Sequence, residues 1–303
     1  MDTTPPLPPS LRRVREAAAP GHPALVHDEW RRAFPWLIQG TTTRGASAHP
    51  FDLGLFAKGS PRDAVLENWR ALRGVTGATY VVHAHQVHGA DVHVHTAASV
   101  AALRSARSAA HDAVDPVPLL APDADGHATR EPGLLLGVTT ADCVPVFVVD
   151  PVRRGVAALH AGWRGVAAGV LERGLSALER DLGSRRSDLV VHLGPAICGR
   201  CYEVGPEVFA ALGEPAPDGA TPIDVRAVLV RRALAAGVGL AHVTVSEHCT
   251  RCTGRALFSH RAGDGQRQVG YIGVRTARLP AADTGGVDAG GHAGVTAPRR
   301  GDA

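Results

Sequence analysis

The chain is poor in aromatic residues: Phe, Tyr and Trp together make up 4% of its 303 residues. Its core must therefore be assembled mainly from Val, Leu and Ala. Lys58 is its only lysine, so nearly all of its positive charge is arginine. No uncharged apolar run approaches the ~18 residues of a membrane helix, which excludes an ordinary spanning segment and makes a membrane an unexpected partner. The first 30 residues carry charges where a secretory signal would have an apolar stretch, so a cytoplasmic location is expected. A strong charge imbalance is also missing. With 32 basic and 29 acidic residues the net charge is +3, and nothing in it calls for a nucleic-acid partner. No internal repeat is visible, and no protein partner is predicted.

Gly and Pro are plentiful, 35 and 22 residues, so loops should be long or numerous. Residues 1–22 are rich in Pro, Ala and Arg without periodicity and are expected to form a flexible N-terminal arm. Residues 280–303 have the composition of a flexible C-terminal tail. The folded body is then 23–279. Cysteines number five, an odd count that argues against a disulfide framework in a reducing compartment. Cys198/Cys201 and Cys249/Cys252 are two CxxC pairs that can in principle form a four-sulfur zinc site. Their flanks lack a tight knuckle, and neither a metal nor a redox role is assigned to them.

The apolar pattern alternates between helical and strand periods. Ser60-Pro61-Arg62-Asp63 reads as a capped helix start, followed by Val65, Trp69 and Leu72 on one face and a stop near Gly74. Strands are expected at Thr79–His83, Leu134–Thr140, Val144–Val149, Val156–His160, Leu189–Leu193, His242–Ser246 and Gln268–Val274. A helix is expected over 165–182, a short one from Pro206 to about Leu212, and one from Asp224 to Ala236. Residues 104–120 read as irregular. The alternation predicts an α/β fold, with the strand order unreadable.

Histidines gather at His83, His85, His88, His93 and His95, five of the chain's 16. His88 precedes a glycine, where the backbone can turn tightly. Cys143 lies in Thr139-Thr140-Ala141-Asp142-Cys143, a polar stretch between two apolar strands, and His160 ends a strand before Ala161-Gly162-Trp163-Arg164-Gly165. Two imidazoles and a thiolate suit zinc, and three protein ligands leave a fourth position for water or substrate. The bland alternative is a buried structural Cys143 with two satisfied histidines. The spacing, 55 residues and then 17, matches no short zinc motif.

Gln86-Val87-His88-Gly89, Thr140-Ala141-Asp142-Cys143-Val144-Pro145 and His160-Ala161-Gly162-Trp163-Arg164-Gly165 resemble, in order, the motifs of the laccase-like YfiH family. Its members were formerly called multi-copper polyphenol oxidoreductases. The family is associated with purine nucleoside phosphorylase and adenosine deaminase activity and includes a peptidoglycan editing factor. Gly194-Pro195-Ala196-Ile197, Cys201-Tyr202-Glu203-Val204 and Phe258-Ser259-His260-Arg261 fit as well. The likeness spans roughly 36–279. It implies a single compact α/β domain with mixed sheets and packed helices, of the cytotoxic necrotizing factor/YfiH-like kind. It implies one zinc on His88, Cys143 and His160. Thr42-Thr43-Arg44-Gly45 resembles an early family motif whose arginine reaches the active site. The usual Asn-Leu-Gly becomes Asp52-Leu53-Gly54, which exchanges an amide for a carboxylate, and His260 stands where Tyr is common.

The resemblance implies phosphorolysis of purine nucleosides (adenosine, inosine, guanosine or methylthioadenosine) with inorganic phosphate as co-substrate, and hydrolytic deamination of adenosine. Deamination needs a proton shuttle, for which Asp142 is the first candidate and His85 the second. Phosphorolysis needs a cation on phosphate, for which Arg44 is the first candidate and Arg164 a further one. Alternatives stay open. The editing relatives suggest a muropeptide hydrolase with Cys143 as nucleophile and His88 or His160 as base. Copper-dependent phenol oxidation needs several metals, while one three-ligand site is evident. A purely structural role leaves polar residues between apolar strands without a reason.

Overall fold

Val144–Asp150 and Gly155–Ala161 are buried at every position, and their side chains divide by parity between two cores. Val144, Val146 and Val148 belong to one cluster, while Phe147 and Val149 belong to another. A strand buried on both faces lies between two layers, and its side chains alternate with period 2. The computed structural model, which describes residues 10–47, 49–109 and 117–276, builds this as helix, sheet, sheet, helix.

The strands are β1 (Arg12–Val14), β2 (Ala17–Ala18), β3 (Ala24–Val26), β4 (Leu37–Thr42), β5 (Tyr80–Ala84), β6 (Val92–His95), β7 (Leu119–Ala121) and β8 (Gly126–Thr129). They continue as β9 (Leu134–Thr140), β10 (Val144–Asp150), β11 (Gly155–Ala161), β12 (Val190–Leu193), β13 (Glu203–Val204), β14 (Thr221–Pro222), β15 (Val243–Ser246) and β16 (Gln268–Val274). The helices are α1 (Asp28–Ala33), α2 (Arg62–Thr76), α3 (Ala97–Ala109), α4 (Trp163–Ala167), α5 (Val170–Leu182), α6 (Pro206–Leu212) and α7 (Val225–Ala235). The first seven-stranded sheet runs β1-β15-β12-β10-β11-β8-β6 and the second β2-β3-β4-β16-β9-β5-β7, both mixed, with β13 and β14 as a separate pair.

The two sheets pack face to face. Phe147, Val149, Val156 and Ala158 of the first meet Leu136, Val138, Ile272 and Val274 of the second. Gly270 on β16 permits the close approach, because a Cβ there would lie 2.6 Å from Pro145 Cβ and 3.0 Å from Phe147 Cζ. Helix α5 lays Leu171, Leu175, Leu178 and Leu182 on the outer face of the first sheet, and Gly174 admits Leu159 beneath it. Each such side chain stabilises the fold by about 1.5–3 kcal/mol through burial, so Leu159→Ala, which also opens a cavity, should cost about 2–5 kcal/mol. Helix α2 covers the second sheet with Val65, Trp69 and Leu72. No helix among the described residues is long and apolar enough to cross a membrane.

Four details differ from expectation. The helix expected over 165–182 is two helices, because Gly169 between them takes φ +87°. The stretch expected as irregular begins with α3, whose start Thr96 and Ser99 cap reciprocally: Thr96 N donates to Ser99 Oγ at 2.9 Å and Ser99 N to Thr96 Oγ1 at 3.3 Å. Its residues 110–116 lie outside the described ones. Helix α2 passes Gly74 and ends at Gly77, which takes φ +68°, and Ser60 bonds Asp52 rather than capping it. The expected loose arm over 1–22 is ordered across its described part. Strand β1 pairs in parallel with β15, and Leu11 and Glu16 are buried. Glu16 is anchored there by His192 Nε2 at 3.0 Å and Ser246 Oγ at 2.9 Å. The tail over 280–303 lies outside the described residues.

Candidate metal centre

Three connections carry the chain from the second sheet to the first, and they gather at one end of the sandwich. The β5–β6 connection holds His88, the β7–β8 connection holds Asp125, and the β9–β10 connection holds Asp142 and Cys143. His160 is the penultimate residue of the neighbouring β11, where the antiparallel register sets it opposite Pro145. The turns are tight enough to force left-handed backbone on non-glycine residues: φ is +59° at His88 and +87° at Asp142. Such conformations cost energy and persist only when the surroundings hold them.

Asp125 does much of that holding at His88. Its buried carboxylate accepts the backbone N–H groups of Val87, His88 and Gly89 at 3.2, 3.0 and 2.6 Å. The same carboxylate lies 2.7 Å from His160 Nδ1, which leaves Nε2 for the cluster. Gln86 ties the same loop to β9. Its amide donates to the Thr139 carbonyl at 2.9 Å and its oxygen accepts from Thr139 N at 2.7 Å.

The ligand atoms of His88, Cys143 and His160 all lie within 4.8 Å of one another. Cys143 Sγ is 3.9 Å from His88 Nε2, and the two imidazoles meet edge to face at 4.7 Å between centroids. Burial pushes the Cys143 thiol up, but the imidazoles of His160 and His88 prevail and bring its pKa down to about 6. Burial disfavours the charged form of His160, yet the Cys143 thiolate and the Asp125 carboxylate raise its pKa to about 9. The two shifts describe one proton shared between the sulfur and the ring, and a metal would take its place, since the thiolate and the neutral imidazole are the forms that bind metals. Gly162 leaves the space open, since a Cβ there would lie 2.9 Å from His88 Cδ2 and 3.0 Å from Cys143 Sγ. A thiolate, two imidazoles and a carboxylate fixing one ring fit zinc, with room for a fourth ligand.

Two cavity lobes open on this group. One, of about 330 Å³, is lined by Trp163, Arg164, Ile197, Tyr202 and Arg261 among others. The second, of about 310 Å³, is lined by Phe56, His85, Thr139, His160 and Arg267 among others. His88, Ala141, Cys143 and His260 line both. Volumes of this order suit a small organic ligand.

The sequence-based candidates fare differently. His88, Cys143 and His160 converge, and His85 lines the same cavity, its ring tilted against Phe56 with centroids 4.9 Å apart. Asp142 borders the cavity, but Thr250 Oγ1 donates to one carboxylate oxygen and Arg261 N to the other. A buried carboxylate holding two donors is a tie between loops and is poorly placed to shuttle protons. Arg44 lines neither lobe. Its guanidinium pairs with Asp264 at 2.8 Å, donates to the Arg255 carbonyl at 3.0 Å, and lies over the Phe258 ring. Asp52 is buried and accepts from Gly54 N and Arg267 N, both at 2.9 Å. The carboxylate in the Asn position therefore organises a loop. One feature escaped the sequence reading: Asp125 lay in a segment of weak periodicity, and only the following Gly126 marked it. The two CxxC pairs, noted in the sequence as able to form a four-sulfur site but given no role, bring their four cysteines within 4.8 Å of one another.

The family model described as multi-copper polyphenol oxidoreductase laccase matches residues 38–275. The purine nucleoside phosphorylase YlmD of Geobacillus stearothermophilus is 34% identical over 263 residues, covering 80% of this chain and 92% of that protein. The crystal structure of YlmD from the same organism superposes with a TM-score of 0.74 at 29% identity, over 85% of this chain and 98% of that one. An adenosine deaminase named RL5, from an unknown prokaryotic organism, is 37% identical over 149 residues, covering 45% of this chain and 56% of its own length. With most of the folded body matched in sequence and in fold, the chain belongs to the laccase-like family to which YlmD and the YfiH proteins belong.

Proposed function

We propose that this chain is a zinc-dependent purine nucleoside enzyme, with one zinc held by His88, Cys143 and His160 and the catalytic unit spanning 23–279. The observation that carries the reading is a three-ligand His/Cys group, braced by Asp125, at the meeting of two ligand-sized lobes. The names of the relatives support nucleosides as substrates.

Zinc held by these three residues would supply Lewis acidity and would bring the pKa of water toward about 7. The remaining chemistry falls to side chains. In deamination, water adds at C6 of adenosine and ammonia leaves, giving inosine. His85 faces the cavity and takes the proton from water and returns it to the departing nitrogen. In phosphorolysis, inorganic phosphate forms a bond to C1′ as the bond to N9 breaks, giving adenine and ribose 1-phosphate. Arg164 and Arg261, which line the first lobe, neutralise phosphate in place of Arg44, which lines neither. Phe56 offers an exposed aromatic face beside His85 for the purine.

Elemental analysis of the purified protein, beside adenosine turnover followed by liquid chromatography with and without phosphate, tests this. One zinc that disappears in His88→Ala, with inosine formed without phosphate or adenine formed only with it, is the expected result. A protein whose zinc content is unchanged in His88→Ala and which forms neither product would overturn the reading, and a muropeptide substrate would be assayed next.

A further inference from the structure

We propose a second metal site: Cys198, Cys201, Cys249 and Cys252 bind a structural zinc that clamps two loops forming one wall of the cavity. The argument begins with topology. Strands β12 and β15 are parallel neighbours, so the loops after their C-terminal ends leave the sheet side by side. The first loop carries Cys198 and Cys201 across a short 3₁₀ turn over Gly199–Cys201, and the second carries Cys249 and Cys252. Ala196 and Cys249 still pair as an isolated parallel bridge, and Thr250 N donates to the Ala196 carbonyl at 3.2 Å. The two CxxC pairs thus face each other at the end of a rigid ladder.

The geometry fits tetrahedral zinc. The four sulfurs lie within 4.8 Å of one another, and Cys198 Sγ is 3.8 Å from Cys252 Sγ. Zinc–thiolate bonds of about 2.3 Å place tetrahedral sulfurs about 3.8 Å apart. A disulfide needs about 2.05 Å, and all four thiols are free. Two backbone N–H groups point at one sulfur: Cys198 N and Cys252 N lie 3.3 and 3.5 Å from Cys249 Sγ. Donors aimed at a sulfur favour its thiolate, the ligand form. Four thiolates around zinc leave two negative charges. Arg251 sits within the second loop and donates to the Cys201 carbonyl at 3.1 Å, and the buried Arg226 donates to the Ser246 carbonyl at 3.2 Å at the root of that loop. Four protein ligands close the coordination sphere, which is the structural arrangement.

The clamp would bear on the cavity wall. Ile197 and Tyr202 flank the first CxxC pair and line the lobe with Cys143. Ile197 N donates to the Asp142 carbonyl at 3.0 Å, and Thr250, inside the second pair, donates to the Asp142 carboxylate. The strained turn that presents Cys143 is therefore tied to both loops that this zinc would join. The inference does not depend on the nucleoside reading, because its readout is metal.

The test uses the full chain purified under reducing conditions. The double variant His88→Ala/Cys143→Ala removes the other metal group and leaves these four cysteines intact. It should hold one zinc per chain, and cobalt(II) exchanged into it should give the thiolate-to-metal charge-transfer bands and tetrahedral visible spectrum of a four-sulfur site. Wild type should hold two zinc ions, and Cys198→Ser/Cys252→Ser should hold one fewer than wild type. Zinc-free double variant with no four-thiolate cobalt spectrum would overturn the proposal. So would a Cys198–Cys252 disulfide found by non-reducing peptide mass mapping. Because the decisive measurement is made with all four cysteines in place, misfolding of the serine variants cannot decide the matter.

Discussion

The two cysteine-bearing clusters are built on opposite plans. His88, Cys143 and His160 come from three distant segments, are braced by Asp125, and face two cavity lobes. Cys198, Cys201, Cys249 and Cys252 come from two loops on adjacent parallel strands, and their mutual contacts use all four sulfurs. Three ligands with space beside them can admit a reactant; four leave no position. The first plan draws its rigidity from a carboxylate and a sandwich of strands, whereas the second would draw it from the metal. The contrast teaches that chemistry is placed where connections cross between sheets, while clamping is placed where neighbouring strands end together.

The comparison predicts a graded series of losses. His160→Ala removes a ligand from the open group and should take nucleoside turnover to assay background with one zinc lost per chain, read by chromatography and elemental analysis. Turnover near the wild-type level would break the assignment of that group to catalysis. Asp125→Asn keeps the shape of the brace but removes its charge, and should lower zinc affinity or activity by about 10–100-fold. Titration against a competing chelator checks it, and an unchanged affinity would make Asp125 a loop anchor alone. Cys198→Ser/Cys252→Ser should lower the melting temperature while kcat falls less than in either variant of the open group. A kcat loss as large as that of His160→Ala would mean that the wall and the chemistry are not separable.

Histidines without ligand geometry give the smallest and most gradual effect. His83 is fully buried, and burial brings its pKa down to about 4. His95 is likewise held at about 4 by burial and the nearby His93. For both, the folded state resists the proton, so their stabilisation is complete above the unfolded value of about 6.5 and is lost as pH falls toward about 4. Unfolding at a series of pH values with the His88→Ala/Cys143→Ala variant, which lacks the open metal group, should show stability falling by at most a few kcal/mol per ring across that window. A flat profile would show that neither ring stays neutral in the core.

Much of the frame was legible in the sequence. Strands β9 and β16 coincide with the expected Leu134–Thr140 and Gln268–Val274, because short apolar runs rich in aliphatic and aromatic residues and bounded by turns leave little else to choose. Asp224 caps α7 as expected, its side chain accepting Arg226 N at 3.0 Å. The three residues of the open His/Cys group were readable from donor chemistry and motif context together. Arg44 and Asp142 show what the sequence left out. Their residue types suit phosphate binding and proton transfer, but whether a charged group is free or already held depends on partners far along the chain, here Asp264, Thr250 and Arg261.

The sequence by itself determined the α/β alternation, the apolar faces, the family, and which side chains have the chemistry of metal ligands. These are local properties, carried by the period of hydrophobicity and by donor type. Tertiary structure alone decided the strand order and the meeting of three sheet-to-sheet crossings at Asp125. It also decided that four cysteines from two loops share one small volume. Such facts follow from how two sheets pack and which strands lie side by side: each CxxC pair is visible in the sequence, but the meeting of Cys198 with Cys252 is set only by the two parallel strands that end together.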